Sequence, residues 1–168
     1  MHSLELMKQY LPALLKALPT TLYLLFISVF FALILGFFLA WAEVGRIRPL
    51  KGIASVFISF MRGTPMLVQI LLIFILIPMI AYQNGVDTNN WNPSLYAIVA
   101  FSLNESAFFA EIFRSAYLSL DRGQMEAAES LGMNKWQLFR RVIFPQAAAS
   151  ALPNTTNMIL ELMKNTSI

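Results

Sequence analysis

The chain contains no cysteine, which removes disulfides, thiolate nucleophiles and cysteine-ligated zinc at once. Histidine is nearly as scarce: only His2, at the N-terminus, which is a poor basis for a metal centre or for imidazole acid–base catalysis. Charge is thin as well. Asp, Glu, Lys and Arg make up 12% of residues, whereas a soluble domain carries about 25%. No G-x-x-x-x-G-K-S/T stretch occurs, so the chain has no phosphate-binding loop of its own. Nor does it show the internal repeats on which many ion-coupled carriers are built. Hydrophobic residues dominate instead, at 58%, with a mean hydropathy of +0.64. This is the composition of an integral membrane protein. The net charge of +3 comes from basic residues lying between apolar runs, which points to loop topology and not to nucleic-acid binding.

The apolar runs come in order. Residues 1–19 form a mixed lead-in with Leu11, Leu14, Leu15 and Leu18 at helical spacing. Leu22 to Ala42 runs 21 residues without a charge, enough to cross a bilayer. Its end, Ala40-Trp41-Ala42, imitates a signal-peptidase site, but the run is too long and starts too late for a signal peptide. A short basic loop follows, with Arg46, Arg48 and Lys51. Ile53 to Phe60 is apolar and stops at Arg62-Gly63-Thr64-Pro65, where Thr64 as N-cap and Pro65 at the first helical position predict a new helix. Met66 to Tyr82 then crosses, with Pro78 expected to kink it. The loop 83–93 is polar and lacks basic residues. A third span is expected over 95–118 and a fourth over 147–163.

The one long hydrophilic block, Asp121 to Gln146, reads as two short helices. Asp121 is placed to cap the first, with Gln124 in the reciprocal position of a capping box, and Gly132 supplies a left-handed stop. Asn134 caps the second, paired with Gln137. Trp136, Phe139, Val142 and Ile143 fall on one side, and Pro145 is expected to break or restart the chain. A bare linker between spans needs neither two caps nor an aromatic stripe, so the block reads as a docking element. Basic residues set the orientation. The loops 43–51 and 119–146 carry them and 83–93 does not, which predicts the first two in the cytoplasm and the N-terminus outside.

The block resembles the EAA loop of ABC-transporter permeases, with the pattern E-A-A-x3-G-x9-I-x-L-P. Here the residues are Glu126-Ala127-Ala128, Gly132 and Val142-Ile143-Phe144-Pro145, with Val and Phe in place of Ile and Leu. The stretches FMRGTPMLVQILLIF, LNESAFFAEIFRSAYLSLDRGQMEAAESLG and ALPNTTNMILELMKNTS are similar to permeases of the polar amino acid uptake group, covering nearly the whole chain in order. The resemblance implies an all-α transmembrane bundle of the type I ABC importer kind, over residues 20–168, with about four spans of a usual five. A fifth span would follow Ser167. It also implies a subunit that is not an enzyme and binds no cofactor, ATP and Mg being held by a partner ATP-binding subunit. The further implied partners are a second permease copy or a homologous permease, and an extracytoplasmic amino-acid-binding protein. The implied location is the cytoplasmic membrane of a prokaryote.

Several polar residues fall in or beside the spans. A charge at the bilayer centre costs at least about 2.5–3.5 kcal/mol, so each should face the bundle or water. Asn104 and Glu111 share a helix face, Glu111 and Arg114 can pair at i,i+3, and Asn157, Glu161 and Lys164 share another face. Two readings stay open for these residues and for Glu105: pairs that lock helices together, or groups along a pathway for a zwitterion. Arg62 is either a lipid anchor or, as the resemblance implies, part of a structural gate element with Gly63, Thr64 and Pro65. The rival functions are a non-conducting membrane anchor and an ion-coupled carrier using Glu105 or Glu161.

Overall fold

The computed structural model describes residues 2–88 and 90–165, without the side chains of residues 2–9, 13 and 14. The side chain of Leu14, and Ser167, therefore lie outside the described residues. The described chain is helical throughout: α1 (His2–Val44), α2 (Arg48–Gly63), α3 (Met66–Gln83), α4 (Pro93–Leu118), α5 (Arg122–Ser130), α6 (Lys135–Leu138), a π-helical segment (Phe139–Ile143) and α7 (Phe144–Asn165). α1 runs unbroken through Pro12 and Pro19, so the lead-in and the first span form one helix.

Three helices are long and apolar enough to cross a membrane: Tyr10–Val44, Met66–Gln83 and Pro93–Leu118. The fourth expected span is present as α7, but it falls outside that set. Its exposed positions include Asn154, Asn157, Glu161 and Lys164. A helix with such a polar face needs protein or water on that side.

α4 is the central helix, packed against α1, α2, α3 and α7. Small residues let α1 approach it closely. Ala32 and Ala40 are buried on α1, one turn to either side of Gly36. A Cβ on Gly36 would lie 2.7 Å from Cβ of Phe109 and 3.0 Å from the Ser106 carbonyl oxygen. Small residues at i, i+4, i+8 are the usual means of close helix contact in lipid, where no hydrophobic effect drives helices together. Leu25 and Val29 of α1, Phe101 of α4 and Leu162 of α7 form one buried cluster, flanked by Met66 and Ile70 of α3. Ile58 of α2 meets Ala107 and Ala110 of α4 in a second.

Contacts along the bundle give helix directions. Leu25 and Val29 lie by Phe101, Gly36 by Phe109, and Glu43 by Arg114, so α1 and α4 run parallel. Phe101 meets Leu162 while Ser119 meets Ser150, so α7 runs antiparallel to α4. Gln69 bonds Asn104 while Phe74 stacks on Tyr96, so α3 is antiparallel too. The loops after α1 and α4 therefore emerge at the same end, and the loop after α3 at the other.

One helix start departs from the sequence expectation. α3 begins at Met66, with Pro65 as an extended N-cap and no side-chain cap. Thr64 instead closes α2, at φ −114° and ψ 143°. A residue preceding proline is pushed out of the helical region, and Thr64 ends α2 with extended backbone. Its hydroxyl turns back and donates to the Phe60 carbonyl at 2.9 Å, an oxygen left without a helical donor.

Candidate functional site: the docking element and the polar groups of the bundle

The hydrophilic block folds as two capped helices joined at a left-handed glycine. Oδ1 of Asp121 accepts from the Gly123 amide at 2.9 Å and starts α5. Gln124 does not complete that cap. Its Oε1 accepts from Nε2 of Gln146 at 2.7 Å and so straps α5 to α7. Gly132 has φ +79°, and its amide bonds the Glu129 carbonyl at 2.9 Å. The capping box of α6 is complete: Oδ1 of Asn134 accepts from the Gln137 amide at 2.9 Å, and Oε1 of Gln137 accepts from the Asn134 amide at 3.0 Å.

Pro145 does not break the chain. It sits in the first turn of α7, directly after the π segment, where the Phe144 amide bonds the Phe139 carbonyl five residues back. The wide turn absorbs the lost proline N–H without ending the helix. Trp136 stacks on Phe139 with ring centroids 6.0 Å apart, and the Phe144 ring, outside the predicted stripe, lies tilted against Phe139 at 6.0 Å. Glu126 and Ala127 are exposed while Ala128 is buried. Leu131 is 80% exposed and Trp136 66%, two large apolar side chains standing out from a polar element.

At the end of the bundle that carries this element, four charges link three helices. Arg114 donates to Glu111 through Nε at 3.1 Å and Nη2 at 2.5 Å. The same Nε lies 3.4 Å from Oε2 of Glu43 on α1, and Nη1 of Arg62 on α2 lies 3.6 Å from Oε2 of Glu111. The Arg62 guanidinium also stands 5.7 Å above the Phe108 ring. Glu111 and Arg62 thus take part in a charge network that joins α1, α2 and α4. Gly63, next to Arg62, is exposed at the last position of α2.

A second tie is neutral. Nδ2 of Asn104 donates to Oε1 of Gln69 at 2.9 Å, and Nε2 of Gln69 donates to the carbonyls of Met61 (2.9 Å) and Thr64 (3.2 Å) and to Oγ1 of Thr64. Gln69 satisfies the carbonyls left open where α2 ends, and Asn104 holds it from α4. Both are buried. Glu43 and Gln69 stood outside the candidates drawn from the sequence. Gln69 was legible as a lone amide in an otherwise apolar run; Glu43 closes a span just before the basic loop and reads as a loop residue.

Glu105 differs from these. It is 1% exposed, and its Oε2 is buried with no hydrogen bond among the described residues. The Glu161 carboxylate on α7 lies near enough to act on it electrostatically. Glu161 is itself exposed, as are Asn157 and Lys164, all on one face of α7. Asn104 and Glu111 are tied to other helices, while Glu105, Asn157, Glu161 and Lys164 lie on or face α7.

Together, the helical membrane bundle and the ordered polar element projecting from one end define a transport permease subunit. The chain belongs to the family of binding-protein-dependent transport system inner membrane components, whose profile matches residues 32–168. It is 39% identical over 98% of its length to the L-cystine transport system permease protein TcyL of Bacillus subtilis, covering 69% of that protein. It is 39% identical to the probable amino-acid ABC transporter permease protein PatM of Vibrio harveyi, over 96% of this chain and 71% of that one. A solved amino acid ABC transporter with histidines matches with a TM-score of 0.81 at 36% identity, covering 96% of this chain and 72% of that chain. The inward-facing MetNI methionine transporter shares the fold, with a TM-score of 0.68.

Proposed function

We propose that this chain forms, with a second permease copy or a homologous permease, the translocation pathway of an ATP-driven importer for a polar amino acid. The pathway works by alternating access. An ATP-binding subunit docks on α5–α6, and its closure on ATP moves that element and the helices joined to it. An extracytoplasmic binding protein delivers the substrate. ATP and Mg are held by the partner, so this subunit contributes geometry and no chemistry.

The observation that carries this reading is the docking element itself. Two side-chain-capped helices joined at a positive-φ glycine form a rigid polar unit, strapped to α7 by Gln124–Gln146 and exposing Leu131 and Trp136. Exposed apolar anchors ringed by polar residues are what a protein partner buries. The substrate class is supported by the relatives, named for cystine and amino-acid transport, and by the pair Glu105 and Glu161, which offers acid to the ammonium of a zwitterion. The basic loops 43–51 and 119–146 emerge at one end of the bundle, so both lie in the cytoplasm and the N-terminus outside.

The test is reconstitution with its ATPase and binding protein. Uptake of labelled amino acid should need ATP and persist when ion gradients are collapsed. Uptake that follows the gradient and ignores ATP defines a secondary carrier, and assembly without any uptake defines an anchor. A membrane-impermeant thiol reagent should label Asn90→Cys in intact cells and leave Asn134→Cys untouched; the opposite pattern overturns the orientation.

A further inference from the structure

An apolar cleft of about 720 Å³ opens between the C-terminal half of α1, the last turns of α4 and the start of α7. Its walls include Phe37 and Trp41 of α1, Phe113 and Tyr117 of α4, and Phe144 and Ala148 of α7. All three helices bring the same end of the bundle to its mouth: α1 and α4 terminate there, and the π segment leads into α7 there. Three arginines are sequence neighbours of wall residues at that end. Arg46 follows Gly45, a wall residue, and Arg140 and Arg141 lie between the wall residues Phe139 and Ile143. All three are exposed, and none forms an ion pair or side-chain hydrogen bond among the described residues. The acid closest in sequence, Glu43, is turned inward to Arg114.

We propose that this cleft is a binding site for an anionic phospholipid, with an acyl chain between α1, α4 and α7 and the headgroup phosphate on Arg46, Arg140 and Arg141. The slot is apolar along its length and basic at one end, which is the polarity of a phospholipid in one leaflet. Trp41 and Tyr117 sit near the basic end, where amphipathic rings settle at the headgroup level. Guanidinium groups suit a phosphate because they present paired donors in a fixed plane. The proposal needs only that the bundle sits in a membrane; a chain that imports nothing still passes or fails its test.

The test uses Trp41 as a reporter, in a chain where Trp91 and Trp136, the other two tryptophans, are replaced by Phe. The protein is placed in phosphatidylcholine nanodiscs that contain either brominated-acyl phosphatidylglycerol or brominated-acyl phosphatidylcholine at equal fraction. Phosphatidylglycerol should quench Trp41 more strongly, and its preference should fall about fivefold for each arginine changed in R46Q, R140Q and R141Q. The triple variant should treat both lipids alike. Ala148→Phe, which fills the cleft, should reduce quenching by either lipid. Equal quenching by the two lipids in the parent chain means bulk contact only and overturns the proposal. Absence of quenching by both means that another helix or a second copy occupies the cleft, and overturns it too. If the double-Phe chain fails to fold, native mass spectrometry of the unaltered chain released from the same nanodiscs reads the preference directly. Retention of phosphatidylglycerol over phosphatidylcholine supports the site, and equal retention overturns it.

Discussion

Oε2 of Glu43 lies 3.4 Å from Nε of Arg114, and this contact joins the end of the first helix to the helix that leads into the docking element. Arg114 is shared: it also holds Glu111, which in turn meets Arg62. One guanidinium thus keeps two carboxylates from α1 and α4 together, a task suited to its several donors in a fixed plane. Removing it strands Glu43 and leaves Glu111 with Arg62 alone. Arg114→Ala should cost about 1–2 kcal/mol: the network is partly exposed and so screened, but Glu43, whose side chain is 11% exposed, loses its partner. Arg114→Lys should recover only part, because a point ammonium cannot serve two sites in fixed geometry. Glu43→Gln should cost less, about 1 kcal/mol, as the pair is a charge contact without a well-formed hydrogen bond. Chemical denaturation in detergent measures each, and an Arg114→Ala variant as stable as the parent refutes the tie.

Gly36 makes a second prediction about the same pair of helices. A single methyl there would meet Cβ of Phe109 at 2.7 Å, and neither atom can move without its backbone. Gly36→Ala should push α1 away from α4 and lower stability by about 1–3 kcal/mol, the usual cost of overpacking. Gly36→Leu should abolish the contact. Disulfide trapping between cysteines at Ser28 and Ser102, where the Ser102 hydroxyl donates to the Ser28 carbonyl at 3.3 Å, reads whether the helices still meet. Unchanged trapping in Gly36→Leu refutes the close crossing.

The fold was legible in the sequence wherever it followed from hydropathy and capping. The three long apolar helices, both caps of the docking element and the left-handed Gly132 all follow from local chemistry. What was not legible depended on who meets whom in space. Gln124 is spaced for a capping box, yet it bonds Gln146, a residue 22 positions away. Thr64 and Pro65 look like a helix start, and a helix does begin at Met66, but the Thr64 hydroxyl turns back to the Phe60 carbonyl and leaves the new helix without a side-chain cap. Pro145 looks like a breaker, but a π turn absorbs it. Glu43 could not be recognised as a helix tie until α1 and α4 were known to run parallel.

The α7 acids give a prediction about transport. Glu161→Gln keeps size and hydrogen bonding but removes the charge offered to an ammonium. In the assembled transporter it should lower uptake tenfold or more, since a charge-assisted hydrogen bond to substrate is worth about 1.5–3 kcal/mol. Assembly with the ATPase should be unaffected, because Glu161 stands on the exposed face of α7, far along the helix from the docking element. Glu105→Gln differs in kind. Its carboxyl is fully buried with one oxygen unpartnered, so the amide keeps the size, takes away the acid that faces Glu161 and should impair uptake. Normal uptake in both variants removes these acids from the pathway, and failed assembly of Glu161→Gln makes it a packing residue.

The docking element turns on Gly132, and its conformation fixes what a substitution does. At φ +79° the backbone is in the left-handed region, and a Cβ added there would meet nothing within 4 Å. The cost of a side chain is therefore purely local strain: about 1 kcal/mol for alanine and more for a β-branched residue. That strain has an escape. Neither the Gly132 amide bond to Glu129 nor the capping box at Asn134 depends on the glycine side, so the chain can relax by rotating about residues 132 and 133. Such a rotation leaves the two short helices intact and re-aims them relative to each other. It moves Leu131 and Trp136, the exposed apolar anchors on either side of the turn, out of register with any partner that grips both. Gly132→Val should accordingly reach the membrane at normal levels and melt at nearly the parent temperature. Its ATPase should lose most of the stimulation that loaded binding protein gives. Gly132→Ala should lose less, and Gly132→Asn least, as asparagine tolerates the left-handed region. Full stimulation in Gly132→Val would mean that the ATP-binding subunit takes its instruction from elsewhere on the chain.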